Sequence, residues 1–372
     1  MRLRTLFIAL VALALLATAC GDAETTEGDT TTTTSGVTTT VDPKADWPDE
    51  IIFGFIPSER QETLQDNIEP FMDYIADEIG IDVTGVVTAD YNGLVVALGT
   101  GGADFGAFGP FGYVQAKDQY PNIEVLIQSI RFGSDLYHGQ WFTNDPSICD
   151  EPPVVGALEN EGGTPVIKAG DEVAALQVGW AFGDAGLEQE VLGDGTEVDQ
   201  GTACLGSLES IVGKSVAFTS STSTSGAVFP QLQLLNLGID VENDITYSYL
   251  GSHTDTVQAV YNGDFDIGLS FDDARRNIRK DADDNPLHPD VGSKVIVFNI
   301  TDDIPNDVVA VDGDLPDNLK QAVYDAISKY LETEEGEAIL DEIYGWTDIR
   351  PASEADFAVV RDAAEKLGVT ED

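Results

Sequence analysis

An α/β fold with largely parallel sheets is predicted by the way short apolar runs of strand length alternate with stretches whose apolar residues recur at helical spacing. A second observation is the 42% hydrophobic content of the 372 residues, enough to bury a core. A third is length, which allows one large domain or two of roughly 150 residues each.

The elements follow in order. Ile51 to Ile56 is a short apolar strand, and Leu64, Ile68, Phe71, Met72, Ile75 and Ile79 then recur at helical spacing until Gly80 stops the helix. Strands are expected at Val83 to Val87, Phe105 to Phe108 and Ile123 to Ile127, with a helix from Tyr91 to Leu98. Further on, Ser215 to Phe218 reads as strand, Ser225 to Leu237 as helix, Ile245 to Leu250 as strand, Thr254 to Asn262 as helix and Phe265 to Ser270 as strand. After Pro316, Leu319, Val323, Ile327 and Leu331 mark an amphipathic helix. In sheets of this kind ligands sit beyond the carboxyl ends of strands, beside helix N-termini.

The N-terminus sets the compartment. Arg2 and Arg4 precede an apolar run from Leu6 to Ala17, too short to span a bilayer and shaped like a signal-peptide core. Ala17-Thr18-Ala19-Cys20 resembles a bacterial lipobox, with Ala17 where Leu is more usual, so Cys20 is the expected lipidation site; an ordinary cleaved signal is the alternative. From Gly21 to Trp47 the chain is rich in Thr, Gly, Asp and Glu, which reads as a disordered tether.

With Cys20 lipidated, Cys149 and Cys204 remain, and an exported protein with two cysteines is expected to pair them; two free buried thiols are the alternative. Both lie between Trp141 and Ser207, a Gly-, Glu-, Asp- and Pro-rich segment read as a decorated surface insertion, with a small strand pair around Val173 to Phe182, or else as a partner's docking surface.

Charge excludes more than it assigns. With 67 acidic and 18 basic side chains the formal charge is −49, which argues against a nucleic-acid partner. There is no CxxC pair and the histidines His138, His253 and His288 are scattered, so neither metal nor cofactor is expected. Asp281, Asp283 and Asn285 imitate the start of a calcium loop, but Pro286 occupies the place of its turn glycine. Arg275, Arg276, Arg279 and Lys280 read as a solvated helix face, with docking to a permease as the second reading.

The sharpest local signal is Thr222-Ser223-Thr224-Ser225-Gly226, hydroxyl residues between a strand and an apolar helix. They can serve as a plain N-cap or, with free N–H groups and the helix dipole, as an anion site. His253 opens a later helix in Gly251-Ser252-His253, either as a capping residue or as a ligand donor.

Phe53-Gly54-Phe55-Ile56-Pro57-Ser58, Thr88-Ala89-Asp90-Tyr91, Phe108-Gly109-Pro110, Ser223-Thr224-Ser225-Gly226, Gly251-Ser252-His253, Asn262-Gly263-Asp264-Phe265-Asp266-Ile267-Gly268 and Ile304-Pro305-Asn306-Asp307 occur in one order. That set, over roughly Ile51 to Arg350, resembles the phosphonate- and phosphite-binding proteins of ABC transporters. The resemblance implies a two-lobed, type II periplasmic-binding-protein fold with helices on both faces of mixed, mainly parallel sheets. It puts the first lobe at 48–139 and 301–372 and the second at 140–300, with the insertion at about 144–206.

Carried over residue by residue, it implies that Ser223, Thr224 and Ser225 hold the oxyanion, that Tyr91 and Tyr137 add phenolic donors, and that His253 donates to another oxygen. Asp273 and Asp307 fall where relatives have carboxylates against the organic tail, an amino group above all. Leu136 and His138 depart from the family's context at Tyr137, and Asp273 stands where a Glu can occur. Neutral hydroxyls and amides would suffice for such an anion, with no Arg or Lys required.

The implied function is that of a monomeric, lipid-anchored binding protein on the outer face of the cell membrane. It would take a small phosphonate- or phosphite-type oxyanion, an aminoalkyl phosphonate being one candidate, to a permease and its ATPase subunits. Two other readings stand beside it. One is a ligand sensor presented to a receptor kinase. The other is a hydrolase using Ser223, His253 and Asp273, against which the Gly-x-Ser-x-Gly elbow is missing.

Overall fold

The computed structural model describes residues 43–369 except 60, 132, 157, 162–163, 168–171, 177–188 and 282. The expected signal peptide, the expected lipidation site Cys20 and the expected tether up to residue 42 lie outside the described residues. Its last residues do not: Pro43 to Trp47 are ordered against the body. Lys44 donates to the Ile79 carbonyl and lies over the Trp47 ring, whose Nε1 donates to Asn318 Oδ1 at 2.9 Å. Pro43 to Trp47 therefore do not belong to the expected tether, because one tryptophan and one lysine give this stretch something to pack.

The first sheet runs β15-β4-β14-β3-β1-β2. β1 (Glu50–Phe55) pairs in parallel with β2 (Asp82–Val87) and β3 (Phe105–Phe108), each connection carrying a helix. The Gln61–Ile79 helix buries the six apolar residues expected from its spacing, and Gly80, at φ +72°, closes it by donating to Ala76 O. The Tyr91–Gly99 helix starts at Asp90, whose carboxylate accepts from Gly93 N at 2.7 Å. β14 (Val308–Asp312) then joins β3 and β4 (Ile123–Ile130) antiparallel, and β15 (Asp348–Pro351) joins β4 antiparallel. Side chains alternate across β14: Val309 and Val311 face the helices Gln61–Ile79, Asp317–Tyr330 and Glu334–Tyr344, while Val308 and Ala310 face Tyr91–Gly99, Pro110–Gln119 and Ala358–Leu367.

The second sheet, β10-β9-β11-β6-β12, is built from β6 (Gly139–Thr143), β9 (Ser215–Phe218), β10 (Thr246–Tyr249), β11 (Ile267–Phe271) and β12 (Ile296–Ile300). β9 pairs in parallel with β10 and β11, whereas β6 runs antiparallel to β11 and β12. Parallel pairing is thus confined to the βαβ units, and the strands that carry the chain between sheets run antiparallel. Trp141, Phe218, Leu234 and Phe298 fill one face; Phe142, Val257, Val260 and Val297 fill the other.

The chain crosses from the first sheet to the second through 131–138 and returns through 301–307. The crossings pair with each other, β5 (Leu136–Tyr137) against β13 (Ile304–Pro305), with Tyr137 opposite Ile304. Tyr137 and Asp307 are therefore placed by the crossovers, between the two sheets.

The insertion departs from its expected role. Its antiparallel strand pair is β7 (Leu158–Glu161) with β8 (Thr164–Ile167), while Val173 lies in the short helix Glu172–Ala175 and 177–182 fall outside the described residues. Cys149 and Cys204 form a disulfide with Cα atoms 5.5 Å apart. Beyond it the segment joins the second lobe's core: Leu176, Leu192, Val198 and Ala203 are buried with Val257 and Val297, and Cys204 N donates to Val297 O at 2.9 Å. It is a structural flank of β12, held there by the inward-facing Leu176, Leu192, Val198 and Ala203, although Val154, Val155, Val191 and Leu205 are exposed.

The basic cluster is likewise not a solvated helix face. Ala274–Ile278 is a 3-10 turn in which Arg275 and Arg279 are buried, and Arg279 Nε pairs with Glu190 Oε2 at 2.7 Å. The Asp281 carboxylate accepts from the backbone N–H groups of Asp283 and Asn285, and among the described residues no group of three or more His, Cys, Asp or Glu is placed to hold a metal. None of the described helices is long and apolar enough to cross a membrane.

Candidate functional site

The two sheets face each other across a cavity of about 870 Å³, lined by Tyr91, Arg131, Tyr137, Ser223, Thr224, Ser225, His253, Asp273 and Asp307 among others. It contains every ligand residue expected from the sequence.

The hydroxyl run after β9 forms the floor. Ser223 caps the turn Thr224–Val228, its hydroxyl accepting from Gly226 N at 3.1 Å, and the chain then continues into the α-helix Phe229–Leu237. Thr224 and Ser225 line the cavity, and as the first residues of the turn their N–H groups precede its hydrogen-bond ladder. Two glycines permit the arrangement. A Cβ on Gly226 would stand 2.2 Å from Thr219 Oγ1, and one on Gly139 would stand 2.6 Å from Ser225 O. The Thr224 hydroxyl does a second job, accepting from Phe111 N at 2.9 Å and so capping the Pro110–Gln119 helix of the opposite lobe. Its own proton remains to donate.

His253 opens its helix just after the Ser252 cap and is buried. Burial, then the Arg131 charge, lowers its pKa to about 3, so the ring is neutral at ordinary pH. Nδ1 lies 2.8 Å from Ser270 Oγ and Nε2 3.5 Å from Ser223 Oγ. A ring that accepts the Ser270 hydroxyl at Nδ1 presents Nε2–H to the cavity. The Tyr91 hydroxyl is buried with no hydrogen-bond partner, and burial followed by the Glu59 charge pushes its pKa far up, so it is a permanent donor. Burial also pushes up the Tyr137 phenol, Asp307 adding to the effect and the Ser225 hydroxyl opposing it.

The two carboxylates differ. Asp307 lies on the cavity wall with its pKa raised to about 6 by burial, against the pull of Arg131. Asp273 touches the cavity, but its carboxylate is buried and taken up by Arg275, with Nη2 at 2.6 Å and Nε at 2.9 Å. The expectation that Asp273 receives an amino group is corrected accordingly: an arginine two residues on neutralises it. The same pairing undoes a catalytic relay, since His253 Nδ1 faces Ser270 and not Asp273.

Three features were not apparent in the sequence. Arg131 is buried on the cavity wall, its guanidinium over the Phe271 ring at 4.7 Å, so the site does contain a cation. Glu59 reaches across from the first lobe to accept from Thr254 and, at 2.9 Å, from Asn277. Burial raises its pKa to about 7. Ser58 O accepts from His253 N at 2.9 Å, so the lobes are closed over the cavity. Nothing local marks Arg131, a lone basic residue after a strand, whereas Glu59 directly follows the Ile56-Pro57-Ser58 stretch.

Comparison with known proteins agrees with this geometry. The family described as the phosphonate ABC transporter periplasmic substrate-binding protein matches residues 53–357. The phosphate-import protein PhnD of Mycolicibacterium smegmatis is 26% identical over 267 residues, covering 70% of this chain and 63% of its own length. This chain thus spans somewhat under two thirds of that relative. Among solved structures, PhnD1 from Prochlorococcus marinus in complex with methylphosphonate superposes with a TM-score of 0.63 at 18% identity, covering 86% of this chain and 99% of that one. A binding-protein component of an ABC phosphonate transporter from Pseudomonas aeruginosa gives 0.59 at 17%, covering 84% and 85%. At those identities the likeness is one of fold, a two-lobed type II periplasmic-binding-protein architecture. The family match over most of the chain, on a fold with this cleft, is decisive: the chain belongs to the phosphonate substrate-binding protein family of ABC transporters.

Proposed function

We propose that this protein is an extracytoplasmic, lipid-anchored solute-binding protein that closes on a small tetrahedral phosphorus oxyanion and delivers it to an ABC permease driven by its ATPase subunits. The observation that carries the reading is an interlobe cavity lined by buried side-chain donors without a partner, the Tyr91 hydroxyl and the Arg131 Nε, beside the head of the Thr224–Val228 turn. Such groups are costly to bury unless a ligand satisfies them.

Ser223, Thr224 and Ser225 hold the oxyanion from the second lobe. His253 donates from the same side, and Tyr91 and Tyr137 close over it, with Asp307 beside the ligand's remaining substituent. Closure brings Ser58 onto His253 and Glu59 onto Thr254 and Asn277, contacts that exist only when the lobes meet. The closed form is the one the permease prefers. The phosphate-import relative and the methylphosphonate complex support a phosphate- or phosphonate-type ligand. Cys20 carries the lipid, and the body acts as a monomer.

Isothermal titration with phosphate, phosphite, methylphosphonate and 2-aminoethylphosphonate tests the reading. Stoichiometric binding of at least one without turnover is expected; no heat from any of the four contradicts it.

A further inference from the structure

Arg131 follows β4 at the start of the first crossover and is 7% exposed. Its guanidinium stacks over Phe271 at 4.7 Å and Tyr137 at 5.7 Å, the ring that packs against His253 and the phenol that stands beside Ser225. Its Nε has no hydrogen-bond partner. Stacking on two rings recovers only part of what a buried guanidinium loses in leaving water; the rest calls for an anion.

The carboxylates around it do not fill that role. Asp273 is held by Arg275, and Glu59 is occupied by Thr254 and Asn277. Asp307 faces the same cavity without an ion-pair contact to Arg131. A ligand bringing its own ammonium would meet a permanent cation and one carboxylate outside any ion pair. A fully anionic ligand would complete the pair that Arg131 lacks.

We propose that Arg131 is the charge-selecting residue of this cleft: it donates directly to the bound oxyanion and makes the site prefer phosphate and methylphosphonate over zwitterionic 2-aminoethylphosphonate. This rests on the oxyanion reading above and sets aside the aminoalkyl phosphonate, one of the candidates the sequence offered.

Calorimetric titration of the folded protein and of Arg131→Gln and Arg131→Lys with these three ligands tests it. The wild type is expected to bind phosphate or methylphosphonate at least about tenfold more tightly than 2-aminoethylphosphonate. Arg131→Gln should lose about ten- to a hundredfold toward the first two and much less toward the third, so the preference collapses. Arg131→Lys, which keeps the charge but not the fork, should keep the preference while binding more weakly. A wild type that favours 2-aminoethylphosphonate overturns the proposal, and so does an unchanged ratio in Arg131→Gln. Should Arg131→Gln fail to fold, wild-type affinities retained in Arg131→Lys overturn it. A wild type that binds none of the three ligands removes the oxyanion reading itself, a distinct result.

Discussion

At the scale of single residues, the cleft exchanges folding stability for ligand affinity, and Tyr91 separates the two. Its hydroxyl is buried with no partner, so removing it relieves a desolvation cost in the empty protein and takes a donor from the ligand. Tyr91→Phe is expected to melt no lower than wild type in a thermal scan while binding its ligand about tenfold more weakly by titration. Loss of both together would mean that the hydroxyl is structural. Glu59 and His253 give the cleft opposing pH responses. Glu59 has a pKa of about 7 in the folded protein against an ordinary 4.5, so its contribution is complete below pH 4.5 and lost as pH rises through 7. His253, held near 3 against 6.5, contributes fully above pH 6.5 and loses that contribution as pH falls toward 3. Glu59→Gln removes only the first of these. The melting temperature of that variant, measured relative to wild type, should rise between pH 5 and pH 8, and a flat difference would contradict the assignment.

At the scale of elements, the Thr224–Val228 turn depends on two close approaches. Gly226→Ala would force a methyl into Thr219, an overpacking of about 1–3 kcal/mol, and would displace the N–H groups behind the proposed oxyanion site. A lowered melting point with weaker binding is expected, and a variant matching wild type in both would show that the turn can shift freely. The disulfide closes a separation of 55 residues, and replacing Cys149 and Cys204 by serine should cost about 4 kcal/mol of stability, seen as a lower urea midpoint. This is also the scale at which the sequence was most legible. Leu64 through Ile79, Gly80 and the Ser223 to Gly226 run carry local signals of period, stop and cap, and the structure places an element at each. What escaped was whatever depends on residues distant in the chain. Arg131 lies on Phe271, 140 positions away, and the insertion's apolar residues gain meaning only against β12. Asp273 escapes for a nearer reason: Arg275 reads as part of a solvated basic face, whereas its guanidinium turns inward onto the carboxylate.

At the scale of the molecule, a chain of net charge −49 carries a cavity proposed to hold an anion. The two are compatible because surface charges are screened over about 10 Å at 0.1 M salt, whereas a buried guanidinium is not. Stopped-flow association should therefore speed up or stay level as salt is added, since salt screens the acidic exterior, and a steep slowing would point to a basic surface guiding the ligand. Closure belongs to this scale too: Ser58, Glu59 and Phe111 from the first lobe meet His253, Thr254, Asn277 and Thr224 from the second. The central claim is that the interlobe cavity binds a phosphorus oxyanion through these converging donors. A crystal structure grown with saturating methylphosphonate tests it most directly. The phosphonate oxygens are expected within hydrogen-bond reach of Ser223, the Thr224 and Ser225 N–H groups, His253 Nε2, the Tyr91 hydroxyl and Arg131. Density only elsewhere, with water alone between the lobes, would contradict it.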